Sequence, residues 1–276
     1  MKNDTYDKIK EVFNTAMHEN VQPEQVSDLT LHAKCTLIHD IVDALRRKEP
    51  QSKYGTARHT RQSLVTIVDS FSASDALADF QARKSRTFLN AIERNENGRS
   101  ILNNIAAWSD VETDTMKETL IATSKLHLEI YTQGICGIVP VSYLFGDKNK
   151  DAQRLGAISL GGFSGDLKNG TGTIRVVDNE NAQFHLADRA LSTMHHETTH
   201  AVQFCLANAF HHGRMSPNHP LFDDAKMFHA IEVKNAIVPS SILKNTEQHA
   251  YVNQVHEILA EAEGEKLSAN LIELAQ

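Results

Sequence analysis

The sequence predicts a predominantly helical α+β protein. Apolar residues recur at helical spacing through most of residues 6–133. Residues 135–178 then change texture to β-branched side chains, Gly and Pro. A long amphipathic helix follows, continuous enough to anchor a core. With 41% hydrophobic residues, 13 Gly and 6 Pro in 276 residues, the chain can fill a core, which excludes collagen-like and disordered classes. Cys35, Cys136 and Cys205 lie far apart with no CxxC pair, so reduced, buried thiols are expected. A formal charge of −7 argues against a nucleic-acid partner, and no run approaches the ~18 apolar residues of a membrane span. MKNDTYDKIKEVF has no apolar run after its lysine, so no secretory signal peptide is expected.

Taken in order, Ile38, Ile41 and Leu45 mark one early helix and Leu64, Ile67, Val68 and Phe71 another. Breaks are expected at 21–23, at Glu49-Pro50, at 71–74 and at 95–98. Ser74 with Asp75 makes an N-cap for a helix running to about Glu93. Residues 1–133 thus read as a helical region. In the second region, 134–276, segments 135–145, 156–161 and 171–178 supply two or three strands, with Lys168-Asn169-Gly170 as a turn. Ala190, Leu191, Met194, Ala201, Val202, Cys205, Leu206 and Ala209 then form the stripe of a helix from about Asp188 to Phe210. A loop over 211–220, a helix over 223–234, a break at Pro239 and a last helical stretch over 245–276 complete the chain. Gly264 is a candidate interruption of that stretch.

The composition has one oddity: 15 histidines, ten of them within residues 185–256. Imidazole is the commonest metal ligand and the usual near-neutral proton carrier. On the long helix stands His196-Glu197-Thr198-Thr199-His200, an HExxH sequence. Residues four apart on a helix differ by about 40° around the axis and roughly 6 Å along it, so two imidazoles at that offset can share one metal ion. Glu197 is set about 100° round from His196, so its carboxylate reaches past the metal to a bound water. Zn²⁺ lowers the pKa of such a water towards ~7, and a carboxylate can take its proton as the water attacks a carbonyl.

A zinc site needs a third protein ligand. The metzincin continuation fails, because Gln203 and Leu206 stand where Gly and His would be. Glutamates downstream are the other source: Glu232, Glu247, Glu257, Glu261 and Glu263. Glu247 stands out, because Glu247, Ala250, Tyr251 and Gln254 share one helical face and the small Ala250 permits close approach.

HExxH followed by a helical ExxA resembles the gluzincin branch of zinc metallopeptidases. The wider segments TMHHETTHAVQF and TEQHAYVNQ are similar to small bacterial putative metallopeptidase domains, several of them translocated effectors. The resemblance covers about residues 135–262. It implies Zn²⁺ held by His196, His200 and Glu247, Glu197 as general base, and a zincin-like fold: a small mixed sheet, an HExxH helix and a glutamate helix downstream. It implies a metalloendopeptidase acting on a protein substrate, a host protein if the chain is exported. The substrate backbone would pair with a strand near the cleft, with 173–177 or 157–160 as candidates.

Tyr251 is a further catalytic candidate, able to donate a hydrogen bond to the developing oxyanion. His195 points about 100° away from His196 and is expected at the surface or behind the ligands. His211, His212 and His219 are loop alternatives for oxyanion stabilisation or ligation. Asp178, Asp223 and Asp224 are candidates to hold the outer imidazole nitrogens. The acidic run Glu261-Ala-Glu263-Gly-Glu265 resembles the glutamate-rich C-terminal export signals of some type IV-secreted effectors, the other reading being a solvated helix face. The expected location is therefore the bacterial cytoplasm, or a host cell reached by a signal-peptide-independent route. The competing function is a helical protein-interaction module in which the HExxH performs no chemistry.

Overall fold

A computed structural model of the chain describes residues 2–48, 58–135, 139–146, 161–178, 184–236, 238 and 254–276. Helix makes up 71% of it and the strands form one three-stranded mixed sheet, a predominantly helical α+β architecture. Among the described residues no helix is long and apolar enough to cross a membrane.

The chain divides into two compact units interleaved in sequence: residues 1–74 with 216–257, and residues 75–215 with 258–276. Neither coincides with the expected regions 1–133 and 134–276. The first unit packs α1 (Lys2–His18), α2 (Pro23–Val26), α3 (Leu31–Lys48), α4 (Arg58–Asp69) and α9 (Phe222–Asn235). Leu37, Ile38, Ile41, Leu64, Ile67, Val68, Met227 and Ile231 fill its interior. Asp224, in the first turn of α9, accepts hydrogen bonds from the Ser74 backbone N–H and hydroxyl, placing negative charge at a helix N-terminus.

The second unit holds α5 (Asp75–Arg94), α6 (Glu96–Ala106), α7 (Thr113–Thr132), the sheet, α8 (Ala187–His211) and most of α10 (Val255–Ala275). Helix α5 begins just after Ser74, as expected. The break expected over 95–98 shrinks to Asn95, which precedes α6, while Gly98 lies inside that helix. The strands are β1 (Val141–Phe145), β2 (Gly161–Asp166) and β3 (Thr171–Val176), in the order β1-β3-β2. β1 pairs with β3 in parallel, Tyr143 opposite Ile174, and β2 pairs with β3 in antiparallel fashion, Phe163 opposite Ile174. The expected turn joins β2 to β3: the Asp166 carboxylate accepts the Lys168 and Asn169 backbone N–H groups, and Gly170 takes φ +62°, a left-handed conformation glycine adopts without strain.

The sheet lies on α8. Ile174 and Val176 are buried beneath it, and a methyl at Gly165 would fall 2.2 Å from the Phe204 ring, so only glycine lets β2 lie this close. Helix α7 covers α8 elsewhere. There Thr198 donates to the Met194 carbonyl oxygen, and its hydroxyl also meets Ser124 Oγ of α7 at 2.6 Å. α8 is therefore buried around much of its circumference, not along a single stripe.

Candidate metal centre

Within the motif, Glu197, Thr198 and Thr199 are buried while His196 and His200 are half-buried, so α8 turns its two imidazoles toward the side least covered by the described residues. Their Nε2 atoms lie 3.1 Å apart with ring planes at 82°. Potential ligand atoms of His196, Glu197 and His200 all lie within 4.8 Å of one another. The Glu197 side chain is hemmed in by β2, since a methyl at Gly161 would stand 2.9 Å from both its Cγ and its Oε1. Sequence, helix geometry and sheet packing thus bring all three motif residues together.

The outer nitrogens decide what the pair can bind. His196 Nδ1 meets Glu261 Oε2 of α10 at 3.1 Å, and His200 Nδ1 meets Gln203 Oε1, one helical turn on, at 2.9 Å. A carboxylate oxygen and an amide oxygen only accept, so both Nδ1 atoms carry protons. In the neutral rings both Nε2 atoms then present lone pairs to each other across 3.1 Å. Two facing lone pairs repel, and a cation between them turns that repulsion into ligation. The donor set therefore fits a metal ion: two imidazole nitrogens, each with the outer hydrogen-bond partner that metal-ligating histidines carry.

Several expected partners sit elsewhere. Asp178 pairs with Lys117 at 2.8 Å and Asp224 with Ser74, so the outer imidazole nitrogens are served by Glu261 and Gln203 instead. Glu263, a candidate third ligand, is buried and accepts a hydrogen bond from Tyr131. Glu232 and Glu257 belong to the first unit, where with Asp69 they offset the charge of the buried Lys234, whose ammonium burial draws down to about 8. Glu247 and Tyr251 lie outside the described residues. Of the histidines expected in the loop, His219 accepts the Leu221 backbone N–H through Nδ1, while His211, the last residue of α8, meets His212 edge to face; among the described residues none joins the 196–200 group.

Three expectations require correction. His195 is not at the surface: it is fully buried, with its Nδ1 3.1 Å from His127 Nδ1, because α7 covers that side of α8. Burial holds its pKa down to about 3, and that of His127 well below the ordinary histidine value. Residues 173–176 cannot add a substrate strand, because β3 is the central strand with both edges paired. Segment 157–160 lies outside the described residues, and β2, which begins immediately after it, is the strand beside Glu197. Gly264 does not interrupt the last helix, which runs on to Ala275.

Gln203 and the role of Glu261 went unread in the sequence. For Gln203 the signal was present, an amide one turn after His200; for Glu261 it was confined to its place among five candidate acids. No protein-family model, curated protein or solved structure matches the chain.

Proposed function

We propose that the protein is a zinc-dependent endopeptidase of zincin-like design, cleaving a protein substrate. What supports the reading is the pair of Nε2 lone pairs converging at 3.1 Å with both Nδ1 protons engaged, beside a buried carboxylate on the same helix. His196 and His200 would hold the ion, with Glu247 as the third ligand that the gluzincin resemblance implies. When bound, zinc supplies a Lewis acid and a water acidified towards a pKa of ~7.

Glu197 is the proton carrier. Held by α8 on one side and the Gly161 backbone on the other, its carboxylate takes a proton from the attacking water and returns it to the leaving amine nitrogen. Tyr251 is the proposed donor to the oxyanion. The Gly161 end of β2 lies against Glu197.

The experiment maps new protein N-termini in cells or lysates supplied with the wild-type chain or with Glu197→Gln. Termini that appear with the wild type and vanish with the variant support the reading. Identical sets in the two samples contradict it and favour the helical interaction module.

A further inference from the structure

Helix interiors disfavour glycine, so Gly264, inside α10, needs a reason. Packing supplies one. A methyl there would stand 2.8 Å from the Ser192 carbonyl oxygen and 3.0 Å from the His196 backbone nitrogen. Both are main-chain atoms of α8 and cannot swing aside. Gly264 therefore lets α10 lie directly on the turn of α8 that carries His196. Two further bonds hold α10 in this seat. Glu263 accepts from the Tyr131 hydroxyl of α7, and Ser268 Oγ donates to the Asp188 carbonyl oxygen at 3.0 Å. Glu261 lies three residues before Gly264, on the same side of α10, and there its carboxylate meets His196 Nδ1.

We infer that Glu261, brought into place by the contact at Gly264, is a positioning residue that fixes His196 in the Nδ1-protonated tautomer, whose Nε2 lone pair faces His200 and is the one able to ligate a metal ion. A carboxylate accepts and never donates, so it selects the Nδ1-protonated ring and makes the opposite nitrogen a better donor. The acidic tail is then part of the metal centre's scaffold: Glu263 locks the helix to α7 and Glu261 orients the ligand. The inference rests on reading 196–200 as a zinc site, and half of its test requires no metal.

The test uses the full chain as wild type, Glu261→Ala, Glu261→Gln and Gly264→Ala. Nitrogen-15 spectra of histidine-labelled, metal-free protein, recorded where the rings are neutral, read the His196 tautomer directly. Competition against a zinc chelator reads affinity, and circular dichroism checks that each variant keeps its helix content. The wild type should show Nδ1-protonated His196. Glu261→Ala should mix the tautomers and weaken zinc about 10- to 100-fold, with Glu261→Gln, which keeps an accepting oxygen, recovering part of both. Gly264→Ala should weaken zinc in the same direction, and adding Glu261→Ala to it should cost little more. A folded Glu261→Ala protein with unchanged tautomer and unchanged affinity overturns the inference. A wild type that binds no zinc, while Glu261→Ala still shifts the tautomer, overturns the zinc reading and leaves the positioning role standing.

Discussion

Two histidine pairs in the second unit hold ring nitrogens at the same separation, 3.1 Å, in opposite surroundings. His196 and His200 are half-buried, their outer nitrogens engaged by Glu261 and Gln203, with Glu197 alongside. His127 and His195 are fully buried against Phe88 and Tyr131, and neither Nε2 has a partner among the described residues. In that inner pair one Nδ1–H donates to the other Nδ1, which leaves one N–H and one lone pair unmatched on the far sides. Nitrogen spacing alone therefore does not make a metal centre. The ligand character proposed for the outer pair rests on the accepting atoms behind it. The inner pair packs against Phe88 and Tyr131, and burial holds the pKa of both rings below the ordinary histidine value.

The sharpest way to break this contrast is Glu197→Gln. Removing the proposed general base should lower peptide cleavage on the order of 10³-fold while zinc stays bound, read by kcat/KM beside elemental analysis. A variant as active as the wild type would deprive the outer pair of its catalytic meaning. The inner pair answers to pH. Because its folded-state pKa values are depressed, its contribution is full above about 6.5 and is lost as pH falls from there towards the His195 value of about 3. In that window the unfolded chain takes up protons that the folded chain refuses, at about 1.4 kcal/mol per pH unit for each histidine. Urea midpoints measured across that range should fall steeply for the wild type and less steeply for the His127→Leu, His195→Leu double variant. Equal slopes would contradict the burial argument.

Smaller effects sharpen the comparison further. Tyr131→Phe removes the hydroxyl that Glu263 accepts from and should cost about 1–3 kcal/mol in chemical denaturation. Gly161→Ala places a methyl 2.9 Å from Glu197 Oε1 and should lower kcat about tenfold with zinc content unchanged, since it displaces the base and leaves the imidazoles alone.

Much of the outer site was legible because it is local. His196, Glu197 and His200 occupy adjacent turns of one helix, and helical geometry alone fixes their offsets. The helical layer and the β2–β3 turn were legible for the same reason. What escaped is long-range. His127 meets His195 from 68 residues away without any motif, so His195 reads as a residue at the surface or behind the ligands until α7 covers it. Alternation reveals that residues 171–176 form a strand, but not that the strand is central, because order in a sheet is set by pairing partners. Gly264 is ambiguous for a like reason: a helix break and a close helix crossing both call for glycine, and only the neighbouring chain distinguishes them. The interleaved units follow the same rule, since α9 rejoins α3 through packing that no local pattern announces.

Zinc stoichiometry in the full-length protein tests the central claim most directly, measured on the wild type, His200→Ala and His127→Ala after equilibration with micromolar zinc and removal of excess. About one zinc per chain in the wild type and in His127→Ala, with none retained by His200→Ala, is the predicted result. A wild-type chain that retains no zinc, or one that loses it with His127→Ala and keeps it with His200→Ala, would contradict the assignment.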